Sequence, residues 1–425
     1  MKSLPLVLVG LLLTATVGVG AVVPAPQVGS SQLPPESVTP PLQVTTAEQS
    51  TTTPAGTPSG TLAIPRSTVE RTEHRRHHVD IGPAVGFETA RTTDTIATAA
   101  IDRRIGDARN DTQRRAKLRT AVADIEAAVQ SLKDRNAAAI RGFADGRSEP
   151  KALLEELALI GQTADRLRER VSTLQQRTDE LDADSTLSGR LSTLSYELRM
   201  LDGPVRAHAA AVFSAERPAG QIFVQAGEAR IVLSAKTDDA YLREVYRPDN
   251  RGDGEARISA EEASGIAADI YPKFWTQRGG GTWSVAGPGP ISVVSIQGID
   301  LGQLEAFIDG TTEQPFVEHK RLSLDQFVPT QRTTKVQDGL EVTVDRSYVG
   351  GPLRVTVINA DTGESVDATV RIGQNGQESQ SVGTTDGPGS VWTLTPDGEF
   401  TITVISEDNS AAFLQLQPQG AADAV

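Results

Sequence analysis

The sequence predicts a multidomain chain: an antiparallel bundle of long, coiled-coil-like helices, then a small α+β domain, then a C-terminal all-β sandwich. Three observations carry this. Between Lys117 and Phe213 the apolar residues fall into three successive ladders of four-three spacing, the mark of helices packed along a seam. From 220 to 333, short apolar runs of strand type alternate with helical segments. From 339 to 417, apolar and polar residues alternate with the period of half-buried strands.

At the N-terminus, Lys2 precedes an uncharged stretch from Leu4 to Val23, with Val19-Gly20-Ala21 as a small-residue cleavage site. Residues 1–23 are therefore expected to be a secretory signal peptide or, if uncleaved, an N-terminal membrane anchor. Either reading places the remainder outside the cell or on its surface. Residues 24–85 are expected to form a disordered Pro/Thr/Ser-rich linker, because such a composition buries too little apolar surface to offset ordering. It is either an O-glycosylated stalk or a plain spacer. Near its end, Glu73-His74-Arg75-Arg76-His77-His78 gathers three imidazoles, which suit zinc or copper. Arg66, Arg71, Arg75 and Arg76 oppose a divalent cation, so a basic surface segment is expected there and no metal.

Residues 86–217 are assigned to the bundle. A weaker helix spans 87–108 through Ile101 and Ile105, and Asn110-Asp111-Thr112 follows at its break. That triplet makes Asn110 an N-glycosylation acceptor; the plain alternative is that Asp111 or Thr112 caps a helix. The first ladder runs Leu118, Val122, Ile125, Val129, Leu132, Ala139 and Phe143, with Asn136 on the missing rung. The second runs Leu153, Leu157, Ile160, Ala164, Leu167, Val171, Leu174 and Leu181, interrupted by Thr178. The third runs Leu187, Leu191, Leu194, Leu198, Leu201, Val205 and Val212, with His208 on its stripe. The connections at 142–150 and 182–185 are short, so neighbouring helices run antiparallel. Each helix of ~30 residues is ~45 Å long. Gly203-Pro204 predicts a kink in the third. Asn136 and His208 are candidate seam-specificity residues; His208 is alternatively a protonation switch or a ligand, or a satisfied core histidine.

The α+β domain, 220–333, reads β-β-α-β-β-α-β. Strands are expected at Ile222–Val224, Ile231–Leu233, Trp283–Val285, Ile291–Ile296 and Phe316–Leu322. Ser259-Ala260-Glu261-Glu262 forms a capping box for one helix, and Asp300–Ile308 is expected to be a second. Tyr241–Arg247 is expected to be an edge strand. Asp249, Asp253 and Gly254 are arranged as in a calcium loop, but Arg251 occupies a ligand position and no glutamate falls twelfth.

The sandwich, 339–417, is expected from Leu340–Val344, Leu353–Val357 and Phe400–Val404, with turns at Asp361-Thr362-Gly363, Asn375-Gly376, Asp386-Gly387-Pro388-Gly389 and Pro396-Asp397-Gly398. Residues 418–425 are expected to be a disordered tail. The runs Leu353–Val357, Thr362–Val370, Thr385–Gly387, Val391–Leu394 and Gly398–Ile402 resemble the carboxypeptidase-regulatory or transthyretin-like sandwich, an Ig-like architecture. That resemblance implies an appended module without catalytic residues. The whole layout also resembles an uncharacterised family of haloarchaeal exported proteins, and this implies no activity.

Composition narrows the function. No cysteine is present among 425 residues, which excludes disulfides and thiolate metal sites. The chain carries 8 Lys against 33 Arg and a net charge of −14, a balance suited to solubility at high salt. Residues 1–219 hold 26 basic and 26 acidic side chains, and 220–425 hold 15 and 29. The second half is therefore a poor partner for nucleic acid. No Gly-x-Ser-x-Gly elbow, phosphate-cradling loop or His-Glu-x-x-His helix occurs. Beyond the bundle, His319 is the one histidine for a Ser-His-Asp arrangement, and Glu261 with Glu262 face apart on a helix. No catalytic, cofactor-binding or metal-ligating residue is assigned. The expectation is a non-catalytic exported surface protein of a halophile, a spacer or interaction module with envelope or surface proteins as partners. The alternatives are a secreted hydrolase or its accessory subunit, and a membrane-anchored sensory ectodomain.

Overall fold

The computed structural model describes residues 60–76, 92, 96, 99–181, 185–218, 220–287, 289–374, 378–387 and 389–418. The expected signal or anchor segment, most of the expected linker, His77, His78, the 182–184 connection, Asn375-Gly376 and residues 419–425 of the expected tail lie outside them.

Helices α1 (Asp111–Ala144), α2 (Pro150–Asp179), α3 (Ser185–Arg199) and α4 (Pro204–Phe213) form the bundle. Arg115 of α1 donates to Leu181 O just past α2, while Arg135 pairs with Glu156 near the other end of the helices, so α1 and α2 are antiparallel. Glu126–Arg190 and Lys133–Glu197 pair α1 with α3 in parallel. The ladders are buried with one exchange: Ile140, not Ala139, occupies the rung after Asn136. Thr178 is buried and returns its hydroxyl to Leu174 O at 2.9 Å. The third rod is broken rather than kinked. Proline at the first position of α4 gives up its donor where no helical acceptor exists, and a new helix starts there.

The sheet has eight strands in the order β1-β2-β3-β4-β8-β7-β6-β5, all antiparallel. They are β1 (Arg71–Arg76), β2 (Gln221–Gly227), β3 (Arg230–Lys236), β4 (Ala240–Tyr246), β5 (Thr282–Ala286), β6 (Ile291–Ile299), β7 (Gly302–Asp309) and β8 (Gln314–Ser323). Two expectations are corrected here. Asp300–Ile308 is not a helix but the turn into β7, whose last four residues are buried because both faces of the strand are covered. Tyr241–Arg247 is not an edge: β4 sits between β3 and β8.

One face of the sheet packs on the bundle, and Ile222, Val224, Leu233 and Leu242 share a continuous core with the helical ladders. The opposite face carries α5 (Ala260–Ile270) and α6 (Pro272–Gln277). It also carries residues 60–64, a strap whose Leu62 and Ile64 pack on Val232 and Val245. The expected linker boundary at 85 is thus corrected: the chain is already folded from 60, and β1 continues the sheet. His74 is buried in β1, and the Arg71 guanidinium stacks 4.3 Å from the Phe143 ring. Arg71 and His74 are therefore not part of a free basic surface.

The sandwich contains β9 (Gln331–Gln337), β10 (Leu340–Arg346), β11 (Pro352–Asn359), β12 (Ala368–Gln374), β13 (Gln380–Thr384), β14 (Ser390–Leu394), β15 (Phe400–Ser406) and β16 (Ala411–Leu416). Its sheets are β14-β11-β10-β9 and β13-β12-β15-β16, so it begins at 331 rather than 339. Their inner faces make a second core from Val342, Val355, Val370, Ile402 and Val404. The sandwich joins the main sheet through Phe223, Tyr241, Val349 and Leu394.

Candidate functional site

A cluster of deeply buried charged residues lies on β4 and β8. Arg243 stands opposite Lys320, and Val245 opposite Glu318, so strand alternation sends Arg243, Glu318 and Lys320 to the strap face. All three are almost wholly buried. Glu318 Oε1 lies 3.3 Å from Arg243 Nε and 3.2 Å from Lys320 Nζ. Its Oε2 accepts the Leu62 backbone N–H at 2.6 Å. Arg243 donates to Leu62 O at 2.8 Å, Arg247 to Ala63 O at 2.9 Å, and Lys320 to Gly60 O at 2.8 Å and Thr61 Oγ1 at 2.6 Å. The strap is thus held as a ligand is held, through its main chain by charged side chains. Desolvated charges of this kind cost several kcal/mol each unless paired and hydrogen-bonded, and here the strap supplies much of the pairing.

Beside the cluster, Tyr271, Phe274, Phe327 and Tyr348 line a cleft of about 130 Å³ with Lys320 in its wall. Burial pulls the Lys320 ammonium down to about 8, opposed by Glu318 and assisted by Arg243. It therefore remains mostly charged at neutral pH, with Gly60 O, Thr61 Oγ1 and Glu318 around it. Burial holds the Tyr271 and Tyr348 hydroxyls well above their usual range. Burial also disfavours the charge on Arg243, but Tyr241, Tyr348 and Glu318 outweigh it and raise its pKa.

On the bundle face, Glu244 accepts the Val205 and Arg206 backbone N–H groups at 2.6 and 2.8 Å, and Arg206 Nε at 3.0 Å. A strand carboxylate therefore caps α4, meeting the positive end of its dipole. Gly203 makes the approach feasible, since a Cβ there would collide with that carboxylate. His319, on the same face, is pushed down to about 3 by burial, then by Arg206 and Arg199. It lies 4.0 Å from Glu305 and edge-on to Phe307. Among the described residues no serine hydrogen-bonds to it.

The residues singled out from the sequence are scattered. Asn110, not Asp111 or Thr112, is the cap of α1, accepting the Gln113 N–H at 2.9 Å, and it is exposed. Asn136 is buried on the α1 seam with its Oδ1 unpaired. His208 is buried on α4 beside a polar cavity. Asp249 is engaged by Arg230 at 2.8 Å and Arg247 at 2.9 Å, while Asp253 is exposed. Among the described residues no cluster of three or more His, Asp or Glu is placed to hold a metal. Ser259 and Glu262 form the capping box. The Arg243–Glu318–Lys320 cluster had no motif to betray it; the one signal was charge inside otherwise apolar strands.

A family model described as Domain of unknown function (DUF7096) matches residues 1–217, just over half of the 425. The chain belongs to the DUF7096 family. In this DUF7096 chain a second model, Family of unknown function (DUF7094), matches 222–328, the segment from β2 to just before β9. A third, the Archaeal fibronectin-III type-like domain, matches 331–413. The sandwich is therefore of that type, where the sequence runs resemble the carboxypeptidase-regulatory or transthyretin-like one. No curated protein and no solved structure matches the chain.

Proposed function

We propose that the chain is a non-catalytic exported protein of the archaeal cell surface, a spacer and interaction module whose N-terminal tether is locked into the folded body by the strap. The observation that carries this is the use made of buried charge. Lys320 faces a cleft, yet its donors meet Gly60 O, Thr61 Oγ1 and Glu318. A saturated, charged ammonium is neither base nor nucleophile. The Glu244 carboxylate is likewise occupied by α4. An uncharged stretch from Leu4 to Val23, a Thr/Pro linker and an acidic second half support export. The sandwich suits contact with other envelope or surface proteins.

The test is expression of the full chain in a salt-adapted archaeal host, followed by fractionation and N-terminal sequencing. Recovery from envelope or medium, with no turnover of glycoside, ester or peptide substrates, supports the proposal. Retention in the cytosol overturns export. Turnover abolished by Lys320→Met in a folded variant overturns the non-catalytic reading.

A further inference from the structure

A second polar site lies where the bundle, the sheet and the sandwich meet. His208 of α4, Arg217 between α4 and β2, Gln221 of β2, Lys236 of β3 with Thr237 just after it, and Trp392 of β14 line a cavity of about 210 Å³. His208 is 8% exposed and Gln221 9%. Both His208 ring nitrogens and the Gln221 Nε2 are buried without a hydrogen-bond partner. The Gln221 Oε1 accepts the Thr393 hydroxyl, and the Nε2 is the end of that amide without a partner. Gly220 keeps the wall open, since a Cβ there would sit 3.4 Å from His208 Nε2.

Each unmatched buried polar atom costs roughly 1–3 kcal/mol, and three on two residues lining one cavity leave hydrogen-bonding capacity that a guest would satisfy. The guest's chemistry follows from the lining. The Gln221 amide and one imidazole nitrogen offer N–H donors, and Arg217 adds a positive charge, with Lys236, which has an interaction of its own, and the Asp238 carboxylate also in the lining. Thr237 is already committed to Asp239 and Ala240. About 10–15 Å³ holds one water, so the space admits a small ion with attendant water. We propose that this cavity binds a small oxyanion, with His208 and Gln221 as its buried donors and Arg217 as its exposed cation. Burial and Arg217 hold the imidazole down to about 4, so at neutral pH it offers one donor and one acceptor. A phosphate, which carries its own O–H, complements both; a sulfate or acetate complements only the donor.

The experiment is calorimetric titration of the full chain with inorganic phosphate at constant ionic strength and pH 7.5, with sulfate and acetate as parallel arms. One saturable site per chain is expected, weakened at least tenfold by Gln221→Leu, His208→Phe and Arg217→Gln. The Arg217 side chain is exposed, so its loss leaves folding intact and keeps the test informative if a core variant misfolds. Phosphate above sulfate assigns the imidazole as acceptor; equal affinities leave the oxyanion site standing with His208 as donor alone. No saturable heat with any of the three anions, or binding unchanged in Arg217→Gln and in whichever core variants fold, overturns the proposal and leaves a hydrated cavity.

Discussion

Arg206 Nε lies 3.0 Å from Glu244 Oε2, with both side chains at least 95% buried. The pair closes the joint between α4 and β4, because the same carboxylate also takes the first free N–H groups of the helix. Its sequence neighbour Arg243 points to the opposite face and holds the strap. Two adjacent residues of one central strand thereby fasten two layers.

Removing one member of a buried pair strands the other. Glu244→Gln is expected to lower unfolding free energy by about 3–5 kcal/mol, measured by denaturant titration. Gly203→Ala should produce a loss of the same order by displacing the carboxylate. The double variant should fall short of the sum by at least ~1 kcal/mol, because both changes break one interaction. Additive losses would separate Gly203 from the cap.

Glu318→Gln leaves Arg243 and Lys320 facing each other with no negative partner. A loss of about 3–5 kcal/mol is expected, together with earlier proteolytic cutting near residue 60. An unchanged cutting pattern would show that the strap is held by Leu62 and Ile64 alone.

Acid should destabilise the fold before the carboxylates are reached. Burial first of all lowers His74 and His208 to about 4 and His319 to about 3. Below the unfolded value of about 6.5 the unfolded chain takes up protons that the folded chain refuses, so stability falls from pH 6.5 towards 4 at up to ~1.4 kcal/mol per unit for each histidine. Asp202 acts oppositely: burial raises it to about 6 despite Arg168, so it gains stability as pH falls through the same range. Three against one, the melting temperature should drop between pH 6.5 and 4.5, and His208→Phe should shallow the slope.

Asn110 can be tested for its two roles separately. Asn110→Asp keeps the cap and removes the glycan acceptor; Asn110→Ala removes both. The alanine variant should cost about 1 kcal/mol and the aspartate almost nothing, read by thermal melts of unglycosylated protein. Mass spectrometry of protein from an archaeal host reports the occupancy.

The helical layer was legible because its ladders bury one stripe per helix, and the period survives in the sequence. The single slip at Ala139 follows from holding the spacing strictly where the helix buries Ile140 instead. β7 was illegible for the opposite reason: with Ala306, Phe307 and Ile308 all buried, alternation disappears, and Leu301, Leu304 and Ile308 mimic a helical stripe. The strap shows only two large apolar residues, Leu62 and Ile64, at the end of a polar tract. Its significance rests on Glu318 and Lys320, which no local pattern ties to it. The charge cluster and the His208 cavity are products of tertiary structure, whereas the cap at Ser259 is local and could be read directly.

The strap also sets the order in which the molecule can be completed. Leu62 docks on Glu318, 256 residues further on, and Gly60 on Lys320, 260 further on. At about 5–20 residues per second a ribosome needs roughly ten to fifty seconds to supply those partners. The earliest part of the fold to be synthesised therefore waits longest for its seat, and the growing chain stays threadable from its leading end throughout that interval.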